Sequence, residues 1–76
     1  MATGLAEGII SITVNGNART VSIGTTLTEL LAALDLDPRM IVVEHNGSIL
    51  YDRGRFATVI LESGDTLELV HFVGGG

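Results

Sequence analysis

The sequence predicts a two-layer α+β fold, with one helix laid across one face of a mixed β-sheet. Three observations predict it. The chain opens with two alternating apolar segments joined at Asn15-Gly16. A single helical stripe follows, Leu27, Leu30, Leu31 and Leu34. The second half then returns to short β-branched segments around another Asn-Gly pair, Asn46-Gly47.

Each element has a local cause. Ile10, Ile12 and Val14 alternate with Ile9, Ser11 and Thr13, a period of two in β-branched residues that marks a strand. Asn-Gly flanked by such segments is the strongest short hairpin signal, and Ala18 to Ile23 alternates again as the return strand. Thr26-Leu27-Thr28-Glu29 has the form of a capping box, in which a threonine hydroxyl and a glutamate satisfy two orphan N–H groups at a helix start. The leucines behind it fall at i, i+3, i+4 and i+7, so they form one face to be laid on the sheet. Pro38, with Asp35 and Asp37, is expected to stop this helix near Leu36. Met40 to Glu44 reads as a buried strand and Ser48 to Tyr51 as its partner. Asp52 to Arg55 reads as a polar loop, and Ala57 to Leu61 stays open between a strand and a helical turn. Ser63-Gly64-Asp65 is a turn before the last strand, Thr66 to Val73, with Leu67 and Leu69 facing in and Glu68 and Val70 facing out. The order is β-β-α-β-β-β, with the last strand expected beside the first, which is the β-grasp arrangement. Residues 1–8 read as a flexible leader, 9–73 as the domain and 74–76 as a flexible glycine tail.

Size and charge restrict the function. At 76 residues the chain is one small domain. A domain this size buries only about 60% of the surface its unfolded chain exposes, which leaves little room for a deep pocket. The net charge of −5 argues against nucleic acid and against an anionic membrane surface, and suits a basic protein partner. No cysteine is present, so thiol catalysis, disulfides and cysteine-based zinc sites are excluded, and a reducing cytoplasm is the expected setting. Lysine is also absent; the cations are Arg19, Arg39, Arg53 and Arg55. No apolar run reaches the roughly 20 residues of a membrane span, and the first residues lack a signal-peptide pattern.

A search for catalytic chemistry finds only structural uses. His45 and His71 have no metal-ligand spacing and read as surface residues, so no metal is expected. Asp35, Asp37 and Asp65 occupy turns, and Glu29 caps a helix. Gly24-Thr25-Thr26 precedes a helix, but one glycine without a nearby cation fits capping better than anion binding. Arg53 and Arg55 read as a solvated loop.

The C-terminus is different. Gly74, Gly75 and Gly76 directly follow a strand. Glycine-rich ends often fray. Yet three residues without side chains can also thread a channel too narrow for others, reaching roughly 10 Å beyond the fold. A glycine carboxylate at the tip is unhindered toward activation.

The segment from Gly64 through His71-Phe72-Val73 to the glycines resembles the C-terminus of the ThiS family, the sulfur carriers of thiamine biosynthesis. Ile12-Thr13-Val14-Asn15-Gly16, Thr26 to Leu31 and Val42-Val43-Glu44-His45-Asn46-Gly47 fit that family in order. The resemblance covers about residues 9–76; residues 1–8 lie outside it, and Tyr51 to Phe56 is its least specific stretch. It implies a ubiquitin-like carrier, not an enzyme. Gly76 would carry a thiocarboxylate, and Gly74 and Gly75 would thread the tail into a partner's active site. The partners implied are an E1-like adenylyltransferase of the ThiF type, a thiazole synthase of the ThiG type, and a cysteine desulfurase that supplies sulfur as a persulfide. ATP would be used by the activating enzyme, with no cofactor held by the chain. Val70, Phe72 and Val73, beside the tail, are the expected docking residues. A sulfur carrier for molybdopterin or another pathway, or a ubiquitin-like modifier or binding module, is the alternative.

Overall fold

A computed structural model describes residues 8–72 of the chain. Strands β1 (Ile9–Val14) and β2 (Asn17–Ser22) form the first hairpin. Its two turn residues, Asn15 and Gly16, both have positive φ, 50° and 84°. Such a turn twists in the sense of the strands it joins, which is why Asn-Gly suits it. Asn46 and Gly47 repeat the arrangement, at 51° and 89°, between β3 (Ile41–His45) and β4 (Ser48–Ile49). The last strand, β5 (Thr66–His71), lies in the middle of the sheet, whose order is β2-β1-β5-β3-β4. It is parallel to β1 and antiparallel to β3. This is the expected β-grasp topology.

Helix α1 (Leu27–Ala33) crosses one face. Both halves of the expected capping box form: Glu29 N–H donates to Thr26 Oγ1 at 3.1 Å, and Thr26 N–H donates to Glu29 Oε1 at 2.9 Å. Leu27, Leu30 and Leu31 are buried against Ile12, Ile41, Val43, Leu67 and Leu69 of the sheet, with Phe56 and Leu61 closing the side. Burying a side chain of this size is worth about 1.5–3 kcal/mol, so this cluster is what holds helix to sheet.

The structure corrects several boundaries. The helix ends at Ala33, not near Leu36. Asp35 takes a left-handed backbone conformation, φ 61°. Asp35 N–H then donates to the Ala32 carbonyl and Leu36 N–H to the Leu31 carbonyl. That is the Schellman closure of a helix, with aspartate where glycine is usual. Strand β3 begins at Ile41 rather than Met40, because Pro38–Met40 is a 3-10 turn capped by the Asp37 carboxylate. Strand β4 stops at Ile49, short of Tyr51. The expected loop at Asp52–Arg55 is instead the start of a second 3-10 helix, Arg53–Thr58, which places Phe56 in the core. Within the segment left open, Ala57 and Thr58 finish that helix and Ile60 makes an isolated bridge with Thr26. Gly8 accepts a hydrogen bond from Ile23 N–H, extending the first hairpin by one pair. The rest of the expected leader, residues 1–7, lies outside the described residues. No helix among the described residues is long and apolar enough to cross a membrane.

The left-handed conformation of a non-glycine residue costs about 1–2 kcal/mol, whereas glycine loses about 0.5–1 kcal/mol more backbone entropy on folding. Asp35→Gly should therefore raise stability by about 0.5–1 kcal/mol in urea denaturation, the difference between these opposing effects.

Candidate functional site

The sheet face opposite α1 is uncovered among the described residues, and strand alternation decides what it presents. Register places Val70 of β5 directly beside Val42 of β3, and Glu68 beside Glu44, which in turn faces Ile49 of β4. Val70 is 57% exposed, Ile49 44% and Phe72 40%. Three exposed apolar side chains and a half-buried valine thus lie on this face, with Val70 and Phe72 at the C-terminal end of β5 and Ile49 two strands away, in the row of Glu68. Val70 and Phe72, two of the three residues expected to dock, are thus both exposed. Val73 and the glycines Gly74, Gly75 and Gly76 lie outside the described residues.

The last described anchor before the tail is the hydrogen bond from Phe72 N–H to the Met40 carbonyl, 3.1 Å. The acceptor sits on a braced turn. Arg53 Nε donates to the Pro38 carbonyl at 2.9 Å and Arg53 Nη2 to the Ile41 carbonyl at 3.1 Å. Arg53 is therefore a clamp, not the solvated loop residue that the sequence suggested. Nothing in the local sequence signals this, because the carbonyls it holds lie 12 and 15 positions away. Arg39 adds a bidentate pair with Asp37 on the same turn and holds that carboxyl down to about 2. The pair is exposed, so it orders the turn more than it stabilises the protein.

The other end of β5 carries a polar cluster. Asp65 is buried, at 7% exposure. Its Oδ2 accepts from His45 Nε2 at 2.9 Å and from Glu62 N–H at 2.9 Å, and its Oδ1 from Asn46 Nδ2 at 3.0 Å. Asn46 Oδ1 accepts from Thr66 N–H at 2.8 Å. His45 is thus half-buried and partnered rather than a free surface residue. Burial pushes the Asp65 carboxyl up, but the His45, Asn46 and Glu62 hydrogen bonds together hold it below the usual carboxylate range. His45 ends β3 opposite Leu67, and His71 ends β5 opposite Ile41, so the length of the β3–β5 pairing separates the two histidines. No group of three or more metal-ligating side chains occurs among the described residues.

Residues 12–76 match the model of the ThiS family. The chain is 41% identical over 51 residues to the sulfur carrier protein ThiS of Bacillus subtilis, covering 67% of this chain and 76% of that one. It is 39% identical over 67 residues to a thiazole synthase of Magnetococcus marinus, covering 88% of this chain. A thiazole synthase of Paramagnetospirillum magneticum matches at 37%. The chain spans 20% of the length of each of these synthases. Among solved structures, the crystal structure of the thiamine biosynthesis protein ThiS from Geobacter metallireducens is similar, with a TM-score of 0.75 and 37% identity. That match covers 88% of this chain and all of the other.

The depressed Asp65 carboxyl fixes the sign of an acid effect. Its bonds stabilise the fold wherever the unfolded carboxyl is ionised, above about 3.9, and are lost as pH falls through the lower folded value. Asp65→Asn should cost about 1–3 kcal/mol at pH 7. That deficit should shrink as urea midpoints are followed down below about pH 4.

Proposed function

The chain belongs to the ThiS family, and on that premise we propose that it is a sulfur carrier of thiamine biosynthesis, charged at the Gly76 carboxylate. The observation that carries this reading is the family match running through the terminal glycines to residue 76. The Bacillus subtilis relative is named a sulfur carrier, which supports the cargo. Two thiazole synthases contain a matching region, which supports a thiazole synthase as the sulfur acceptor.

The chemistry follows from the carboxylate. At neutral pH it is ionised, with an ordinary pKa of about 3.3–3.7, and is a poor electrophile. In the proposed cycle it attacks the α-phosphate of ATP on an E1-like activating enzyme. A carboxyl–phosphate anhydride forms and pyrophosphate leaves. A persulfide derived from a cysteine desulfurase then attacks the carbonyl carbon and AMP departs, leaving a carbon–sulfur bond at Gly76. A second thiol of the partner attacks the adjoining sulfur, breaking the sulfur–sulfur bond and leaving a disulfide on the partner, and the freed thiocarboxylate is a nucleophile that delivers sulfur to the thiazole ring without free sulfide. ATP, bases and thiols belong to the partners, and the carrier acts as a cosubstrate in the cytoplasm. Its share is docking and reach. Four residues separate Phe72 from the tip, roughly 13 Å when extended. The face bearing Val42, Ile49, Val70 and Phe72 supplies an apolar contact next to where that reach begins.

Intact mass after incubation with ATP, a ThiF-type enzyme and a sulfur donor tests the reading. One terminal oxygen should be replaced by sulfur, and deletion of Gly76 should abolish the change. Val70→Asp should leave the fold intact and slow charging by about tenfold or more, as expected when an interface anchor is lost. An unchanged mass, with an activating enzyme that charges a known carrier, would overturn the reading.

A further inference from the structure

The helix side of the molecule carries a second surface that the sulfur-carrier reading does not use. Strand β2 is an edge of the sheet. Ile23 N–H bonds the Gly8 carbonyl, so the ladder to β1 uses the odd-numbered residues of β2. Ala18 and Thr20 therefore turn their backbone N–H and C=O groups outward, away from β1. Natural edges are usually blunted by lysine, proline, a bulge or shortness. This one has six residues in unbroken register, with no lysine and no proline.

Between that edge and α1 runs a groove in two parts. The larger, about 600 Å³, includes Val21, Leu30 and Ala33 in its lining. The smaller, about 370 Å³, includes Val14, Leu34 and Leu36. Arg19 lines both. It stands opposite Ile12 in the register, hence on the helix side of the sheet. It makes no salt bridge among the described residues, where the ion pairs are Arg39–Asp37 and His45–Asp65. The groove's carboxylate, Glu29, is already engaged in the helix cap.

We propose that this edge and groove bind an extended segment of a partner protein by strand addition. The segment's side chains would follow the pattern aliphatic-x-acidic-x-aliphatic. The outward groups of Ala18 and Thr20 would pair with its backbone. Alternate residues of an added strand point the same way, about 7 Å apart. Two aliphatic side chains four positions apart would then enter the two parts of the groove, and the carboxylate between them would meet Arg19. A second copy of the chain is disfavoured as occupant, because each copy carries a net charge of −5.

The test titrates the full-length ¹⁵N-labelled protein with an end-blocked peptide, Ser-Thr-Ile-Thr-Asp-Thr-Ile-Thr-Ser. The Ala18 and Thr20 amides should shift and become protected from exchange. Arg19→Glu, an exposed change that leaves the spectrum of the core intact, should weaken binding by about tenfold or more, as for loss of a close charge pair. A peptide with lysine in place of aspartate should recover binding to that variant and lose it to the unsubstituted protein. No shift at millimolar peptide would overturn the proposal. So would shifts centred on Val42 and Val70, an affinity unchanged by Arg19→Glu, or self-association through β2 in sedimentation. None of these outcomes depends on sulfur transfer, which is read separately by mass at Gly76.

Discussion

The fold depends on satisfying β5 from both sides. This strand is central, and an unpaired backbone group at its depth would cost as much as a lost hydrogen bond. On one side, β3 pairs with it over five positions, Ile41↔His71 to His45↔Leu67. On the other, the parallel register with β1 covers only Thr13↔Thr66 and Val14↔Leu67, because β1 then turns back at Asn15. The turn residue itself continues the pairing. Asn15 Oδ1 accepts from Leu69 N–H at 2.7 Å, and its Nδ2 donates to the Leu69 carbonyl at 3.3 Å. Asn46, in the other Asn-Gly turn, accepts from Thr66 N–H. Each asparagine thus has two uses. It tolerates the positive φ of a tight turn, and its amide closes a gap in the ladder of the central strand. Aspartate would keep the turn but lose the amide donor.

That construction also divides the labour along β5. Its start is locked by the buried Asp65 carboxylate and its three hydrogen bonds. The last bond at its other end, among the described residues, runs from Phe72 N–H to the Met40 carbonyl, on a turn braced by Arg53. A firmly held root suits the proposed sulfur carrier, whose Gly76 carboxylate would be presented to partner enzymes. Charge on such a carrier belongs to encounter and partner choice more than to the reaction, and the Glu44–Glu68 pair illustrates it. Like charges directly opposite in a sheet are destabilising, and these two sit against the apolar cluster of the open face. A cation on a docked partner would relieve them.

The open face and the groove beside β2 lie on opposite sides of the sheet, since Arg19 and Val21 share the side of Ile12 and α1 while Val70 and Val42 share the other. Occupation of one leaves the other accessible. A partner strand added at β2 would therefore leave the open face available for the docking proposed above.

Whatever depended on neighbours along the chain was determined by the sequence alone. Both Asn-Gly hairpins, the Thr26–Glu29 cap, the leucine stripe and the inward setting of Leu67 and Leu69 are of this kind, because turn dihedrals, caps and periodicity act within a few residues. The exposed setting of Val70 and Phe72 near the end of β5 was legible for the same reason. Tertiary structure decided the rest. The helix stops at Ala33 because Asp35 accepts a left-handed conformation that the leucine pattern does not encode. Arg53 and His45 were read as surface residues because their partners, the carbonyls of Pro38 and Ile41 and the carboxylate of Asp65, are 12 to 20 positions distant. The groove beside β2 exists only once α1 is laid across the sheet. Hydrophobic patterning specifies which faces must meet, but it is non-directional. Which polar groups then come within hydrogen-bond reach is settled only by the packed geometry.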